Sequence, residues 1–493
     1  MITRRTLLKG AASTLFGAGA AAAILPAGCA TSRTSLIADE NEKPGTTDWI
    51  LTNTRVEKKT RCPWVEGFCS RTSVRAGEPI EFKVAADPAS PFVLDLYRMG
   101  YYGGKGGRFM ARLGPFKGSP QPDPGVGDER VRACEWETAT TLTIPSDWPS
   151  GVYLGKLTEE KEKLQSYVIF VVRDDRPCDF LLQLSDTTWA AYNRWPDLWS
   201  LYDDGTPPHN WYTGPGVRVS FDRPYGRYRQ ILDAPLSQGS GEFLLWEFPL
   251  AFWMESQGYD VSYISNVDTH ADGRGLLRGR AFISQAHDEY WSIDMFNHAK
   301  AAISSGIHAA FLCGNAVDGL IRFTRKNRDF ARVGKFGVFE HEQQKYKGWS
   351  QHGPNPATLM GARSTVPYNG SGNWTCVKED HWLFAGTGMK NGDSIPDLVG
   401  WEHHGLPIER PNLEILARGP VMSGKRSQGV EYTATIHPEA KGNLVFNAAT
   451  IWWSLGLSEP PGFLKPSAHG GSPRGVDARV QRMTKNLFDR FLA

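Results

Sequence analysis

The segment Arg280-Ala281-Phe282-Ile283-Ser284-Gln285-Ala286-His287-Asp288-Glu289-Tyr290-Trp291 runs apolar and then breaks into an imidazole, two carboxylates, a phenol and an indole. It reads as a buried strand whose carboxyl end carries chemistry. His287 can move a proton, and Glu289, two residues on, is an anionic oxygen donor. By itself a His-x-Glu at a strand end is a weak motif, because such carboxylates often cap the next helix. Asp288 is placed to cap a helix near Ser292.

The neighbouring segments read as α/β. Phe180–Leu184 is a short apolar run ending in Ser185-Asp186-Thr187, and Phe248–Glu255 has a helical pattern closed at Gly258. Tyr259–Ile264 is rich in β-formers, a helix follows from Ser292 to about Ser305, and Ile307–Cys313 is again a strand. Strand, helix, strand, helix, strand predicts a parallel sheet with crossovers, whose ligands sit beyond the carboxyl ends of the strands. Three polar endings, Ser185-Asp186, His287-Asp288-Glu289 and Gly314-Asn315, would face one crevice. Glu402, His403 and His404 read as a solvated loop outside it.

Upstream, Ile80–Val84, Phe92–Tyr97, Thr141–Pro145, Gly151–Leu157 and Ser166–Val172 are short strands separated by turns, the pattern of a β-sandwich. The expected organisation is a signal over residues 1–30, a linker over 31–60, a β-sandwich over 61–175 and an α/β domain over 176–493. Thr3-Arg4-Arg5-Thr6-Leu7-Leu8-Lys9, with the weakly apolar run to Pro26, predicts export by the twin-arginine route to the periplasm or cell envelope. Two processing routes stay open there, a lipid anchor at Cys29 or ordinary cleavage.

The first 28 residues hold Arg4, Arg5 and Lys9 and no acids, so 55 basic and 53 acidic residues become 52 and 53. A near-neutral chain has no polyelectrolyte footprint, which argues against nucleic acid as partner. Cys62 and Cys69 are spaced to close a small loop, and no cysteine pair has the Cys-x-x-Cys spacing of a thiolate metal site.

Several motifs carry a resemblance. Leu96-Tyr97-Arg98-Met99-Gly100-Tyr101-Tyr102-Gly103-Gly104, Ala191-Tyr192-Asn193, Asp222-Arg223-Pro224-Tyr225 and His287-Asp288-Glu289-Tyr290-Trp291 appear in that order. Asp397–Glu402, Gly442–Thr450 and Ile451–Leu457 follow. Together they resemble the large (β) subunit of N,N-dimethylformamidase and its relatives, from about Glu66 to Leu457. The resemblance implies an amidohydrolase acting on a small amide, with one mononuclear ferric ion per chain held by two tyrosinates and a glutamate. Carried over by motif, the ligands are Tyr192, Tyr225 and Glu289, with His287 and Asn315 as catalytic residues. The stretch from Trp195 to Tyr228 also offers Tyr202, Tyr212 and Tyr228 for the second tyrosine. Ferric iron is small and hard and prefers anionic oxygen, so phenolate and carboxylate suit it.

No segment resembles the small subunit with which the formamidase works, and homo-oligomers stay open. Two other functions remain. Cys313, at a strand end before a turn, occupies the nucleophile position of glutamine-amidotransferase-like folds, with His287 as its base. A cell-envelope binding protein that kept the fold without the enzyme is the other. The expected fold class is therefore α/β, a parallel-sheet, glutamine-amidotransferase-like C-terminal domain preceded by a β-sandwich.

Overall fold

A computed structural model describes residues 35–493, apart from 56–59, 128–129, 204, 206–217, 230–232, 324–337, 342–352, 366–369, 424–425 and 468–470. The proposed signal, Cys29 and Tyr212 lie outside the described residues. Among the described residues, no helix is long and apolar enough to cross a membrane.

The centre is a seven-stranded mixed sheet. In spatial order its strands are Val261–Ser265, Cys178–Leu184, Gly279–Ala286, His308–Cys313, Leu444–Asn447, Arg426–Pro438 and Glu414–Ser423. The first five run parallel and the last two complete the sheet as antiparallel neighbours. Strands buried on both faces read as continuous apolar runs, which is why Phe180–Leu184 and Ala281–Ile283 carried so clear a signal. The expected helices form as Phe248–Ser256 and Ile293–Ser304. A further amphipathic helix, Ala478–Leu492, buries Val480, Met483, Leu487, Phe488 and Phe491 at helical spacing, with Phe488 against Phe180 at 4.4 Å.

The N-terminal strands form a five-stranded and a three-stranded sheet. Side-chain alternation splits the larger sheet cleanly. Leu94, Leu96, Tyr153, Leu157, Val168, Phe170 and Val172 join Ile80, Phe82 and Val84 in a core between the two sheets. Their alternates, Tyr97, Met99, Val152, Leu154, Tyr167, Ile169 and Val171, join Phe180, Leu182, Leu184, Phe248 and Val261 in a second core. That outer face would be water-exposed in a free sandwich. Here it is one wall of the central domain's own interior.

Two expectations are corrected. The stretch 31–60, read as a linker, is packed over the part described. Ser35 caps a short helix, Leu36–Asn41, and Trp49 and Leu51 enter the shared core. Lys156 Nζ donates 2.8 Å hydrogen bonds to the carbonyls of Asp48 and Ile50. Cys62 and Cys69 are free thiols, as are Cys134, Cys178, Cys313 and Cys376. Burial holds Cys62 up to about 12 and Cys69 higher still.

Candidate functional site

Two of the three polar strand endings meet directly, and the third joins them through the helix that follows it, where Thr188 Oγ1 accepts from Glu289 N–H at 3.1 Å. Ala286 ends its strand at φ 54°, a left-handed turn that swings His287-Asp288-Glu289 off the sheet. The next strand ends at Cys313, paired with Ala286, and Asn315 (φ 55°) and Val317 (φ 54°) repeat the device. Non-glycine residues in this region cost on the order of 1–3 kcal/mol each and cluster where side chains must be aimed. The turns are stitched together by Val317 N–H donating to the Asp288 carbonyl at 3.1 Å and Asp318 N–H to that of Glu289 at 3.0 Å.

His287 lies at the centre, 1% exposed, with three carboxylates around its ring. Nδ1 is 2.9 Å from Glu242 Oε2, and Nε2 is 2.9 Å from Glu402 Oε2 and 3.3 Å from Glu289 Oε2. Tyr192 stacks on the imidazole at 5.0 Å and donates its hydroxyl to Glu289 Oε2 at 2.6 Å. Donor atoms of His287, Glu289 and Glu402 all lie within 4.8 Å of one another, a buried cluster able to hold a metal ion. Nε2 and Glu402 Oε2 approach closely enough for an ion pair but are not aligned for a hydrogen bond, and each is a buried atom without a hydrogen-bond partner.

The electrostatics follow from burying so much acid. Burial opposes a charge on His287, but Glu402 and Glu242 outweigh it and hold the imidazolium well above the ordinary histidine range. Burial pushes Glu289 up to about 8, against its contact with His287, and the Glu402 charge adds to the rise. Burial and Glu289 hold the Tyr192 phenol well above its usual value. One imidazole faces three carboxylates, and the crowding of acid favours a proton on Glu289. A bound cation would displace that proton.

Tyr192 ends the buried helix Asp186–Tyr192. Arg223, from the Asp222–Tyr225 motif, is fully buried and donates to the carbonyls of Ala190, Asn193, Trp195, Trp199 and Ser220. Asn193 returns the contact, donating to the Pro224 carbonyl at 2.9 Å. This motif thus braces the Tyr192 segment. Tyr225 points elsewhere, lying edge-on to Trp189 and lining a small cavity with Asp186 and Cys69. After burial, the charges acting on its phenol are those of Asp186, Arg223, Cys69 and Glu247. Burial, then Glu242, Glu402 and Glu289, raise the phenol of Tyr228 from the same stretch.

Sequence reasoning left Glu402 outside the site and did not single out Glu242. It also took His403 and His404 for solvated residues, and the structure corrects this. Both are buried, with burial holding each down to about 4. His404 Nε2 accepts from Ala316 N–H at 2.9 Å and its Nδ1 lies 2.8 Å from Asn447 Oδ1, which braces the turn carrying Asn315. Asn315 itself is buried with Oδ1 unpartnered. Asp288 is not a helix cap either. Ser292 caps that helix, and Asp288 accepts from Gln183, Asn266 and Ser284 at 2.7–2.9 Å. Cys313 sits in an apolar cluster with Ser284 Oγ at 3.6 Å, and burial, then Asp288, holds its thiol well above the ordinary range. A thiol held neutral is a poor nucleophile.

No curated protein matches the chain. Among solved structures, a family 123 glycoside hydrolase from Clostridium perfringens, whose report concerns glycolipid glycan hydrolysis, aligns at 11% identity with a TM-score of 0.11. That alignment covers 32% of this chain and 33% of the hydrolase, and so weak a superposition carries no argument. The family described as N,N-dimethylformamidase beta subunit-like, C-terminal, matches residues 93–468, a span that takes in most of the sandwich's larger sheet and every residue of the His287 cluster. The chain belongs to the N,N-dimethylformamidase beta subunit-like family.

Proposed function

We propose that the protein hydrolyses the C–N bond of a small amide at a mononuclear ferric site. The observation that carries this reading is the buried group of His287, Glu289 and Glu402 beside Tyr192, in which two carboxylates and a phenol meet one imidazole. The donors fit a hard trivalent cation: carboxylate and phenol oxygens, with His287 Nε2 and Glu402 Oε2 left without hydrogen-bond partners. Tyr192, Glu289 and a second tyrosine would hold the ion. The chemistry it supplies when bound is Lewis acidity toward an amide carbonyl and an attacking water.

The chain's own groups do the rest. With the ion's charge offsetting the acids that otherwise hold His287 protonated, the neutral imidazole would take the proton of the attacking water at Nε2, beside Glu402, and return it to the leaving amine. Asn315, held in its turn by His404 through Ala316, donates to the developing oxyanion. Trp401 and Tyr192 flank His287 and exclude bulk water. The parallel strands of the α/β domain support reading it as amidotransferase-like, without the cysteine mechanism. The Arg4-Arg5 segment supports a further proposal, export by the twin-arginine route. Fractionation of cells carrying Arg4→Lys with Arg5→Lys should show retention in the cytoplasm, and unchanged export would remove that assignment.

Metal content and an optical spectrum test the central reading. One iron per chain with a visible tyrosinate-to-iron band is expected, together with hydrolysis of small formamides or acetamides. Iron-free, colourless protein after reconstitution would overturn it. The second tyrosine in this reading is Tyr228 in place of Tyr225, because Tyr228 packs edge-on at 5.9 Å against Trp246, whose indole donates to Glu242 at 2.9 Å. Tyr228→Phe should therefore shift or bleach the visible band, and Tyr225→Phe should leave it in position. The reverse pattern would restore Tyr225.

A further inference from the structure

Glu242 stands on no strand and in none of the family motifs, yet it meets the central imidazole. Its Oε2 is shared by two rings, with His287 Nδ1 and Trp246 Nε1 each at 2.9 Å. A carboxylate oxygen accepts, so the proton of that contact belongs on Nδ1. Trp246 is itself fixed, fully buried against Trp401 at 5.3 Å and Tyr228 at 5.9 Å, and Trp401 in turn lies edge-on to His287 at 6.1 Å.

The local chain is shaped for this delivery. Gly239 (φ 91°) and Gly241 (φ 58°) precede it, and a Cβ on either would strike the Tyr167 carbonyl or the Trp189 ring. The turn Phe243–Glu247 is π-helical, a geometry common at functional sites. Glu242 also carries a cost, since its Oε1 is buried without a hydrogen-bond partner. An apolar residue of the same shape would avoid that penalty, so packing alone does not account for an acid here.

We infer that Glu242 is a positioning residue: in the neutral state that the reaction needs, it keeps the His287 proton on Nδ1 and turns Nε2 toward Glu289 and Glu402 as the working nitrogen. The kinetic consequence rests on the hydrolytic reading, whereas the placement of the proton does not. Glu242→Leu removes the acceptor, and Glu242→Gln keeps an oxygen that both rings can reach while removing the charge.

Both variants and the wild type are compared in two measurements. With a small formamide as substrate, Glu242→Leu should lose about 100-fold or more in kcat, with KM and iron content unchanged, and Glu242→Gln should recover most of the loss. Unchanged kcat in Glu242→Leu, no recovery in Glu242→Gln, or loss of iron with activity would each overturn the inference, the last by making Glu242 part of the metal's charge balance. The second measurement uses the gallium(III)-loaded protein with nitrogen-15 histidine, the His287 signals being identified by their absence in His287→Gln. The wild type should carry its proton on Nδ1 and Glu242→Leu should move it to Nε2; a proton that stays on Nδ1 in Glu242→Leu overturns the inference. A wild type without turnover would defeat the hydrolytic reading and leave this second measurement decisive.

Discussion

Glu289→Gln is expected to abolish iron binding and amide hydrolysis together. The carboxylate is buried, accepts the Tyr192 hydroxyl at 2.6 Å and lies 3.3 Å from His287 Nε2. A neutral amide has nearly the same shape, so the fold should survive, as an unchanged melting curve would show. It lacks the charge that offsets a trivalent ion, and in a water-poor interior no solvent replaces that charge. Iron at full stoichiometry in Glu289→Gln would remove Glu289 from the ligand set. Cys313→Ala serves as the contrast and should keep both iron and turnover, losing only the packing of a small apolar group. Lost turnover with iron retained in that variant would transfer the mechanism to the thiol.

The second large effect is on stability. Arg98 and Glu255 form a fully buried pair at 2.8 Å that joins the sandwich to the helix Phe248–Ser256. Arg98 also donates to the Ser150 carbonyl and to Tyr102, and Glu255 accepts from Tyr263 at 2.7 Å and Asn41 at 2.9 Å. Burial opposes the charge on Arg98, but Glu255 outweighs it and holds the guanidinium well above its ordinary value. Arg98→Met leaves that carboxylate buried without its cation, and the expected loss is about 3–5 kcal/mol, read from urea denaturation. Arg98→Met combined with Glu255→Leu should lose less than Arg98→Met alone, because no uncompensated charge remains. A double variant as unstable as the sum of the two singles would show that the pair contributes packing and no coupling.

That pair also explains why the sequence resolved two β-rich and α/β regions without showing how they join. Each region has its own alternation, and both Leu94/Leu96 and Tyr97/Met99 are apolar, one pair facing the sandwich core and the other the shared core. A strand apolar on both faces announces burial. It does not name what covers it.

The site divides in the same way. His287, Glu289 and Asn315 were legible because each follows directly on an apolar strand, and a parallel sheet brings consecutive strand ends to one edge. The endings at Ser185, His287 and Gly314 lie on the adjacent strands Cys178–Leu184, Gly279–Ala286 and His308–Cys313. Glu242, Glu402 and Tyr228 had no such marker. They sit in turns and irregular segments, where a lone acid or phenol looks the same whether solvated or buried. Their burial is tolerable only because they share an imidazole, a phenol and the balance of charge with one another, and that compensation exists only once the distant segments have met. Local pattern thus determined the sheet and the chemistry at its edge, because backbone periodicity is a property of neighbours. Tertiary structure decided which acids surround His287, because the free energy of a buried charge is set by what is brought around it.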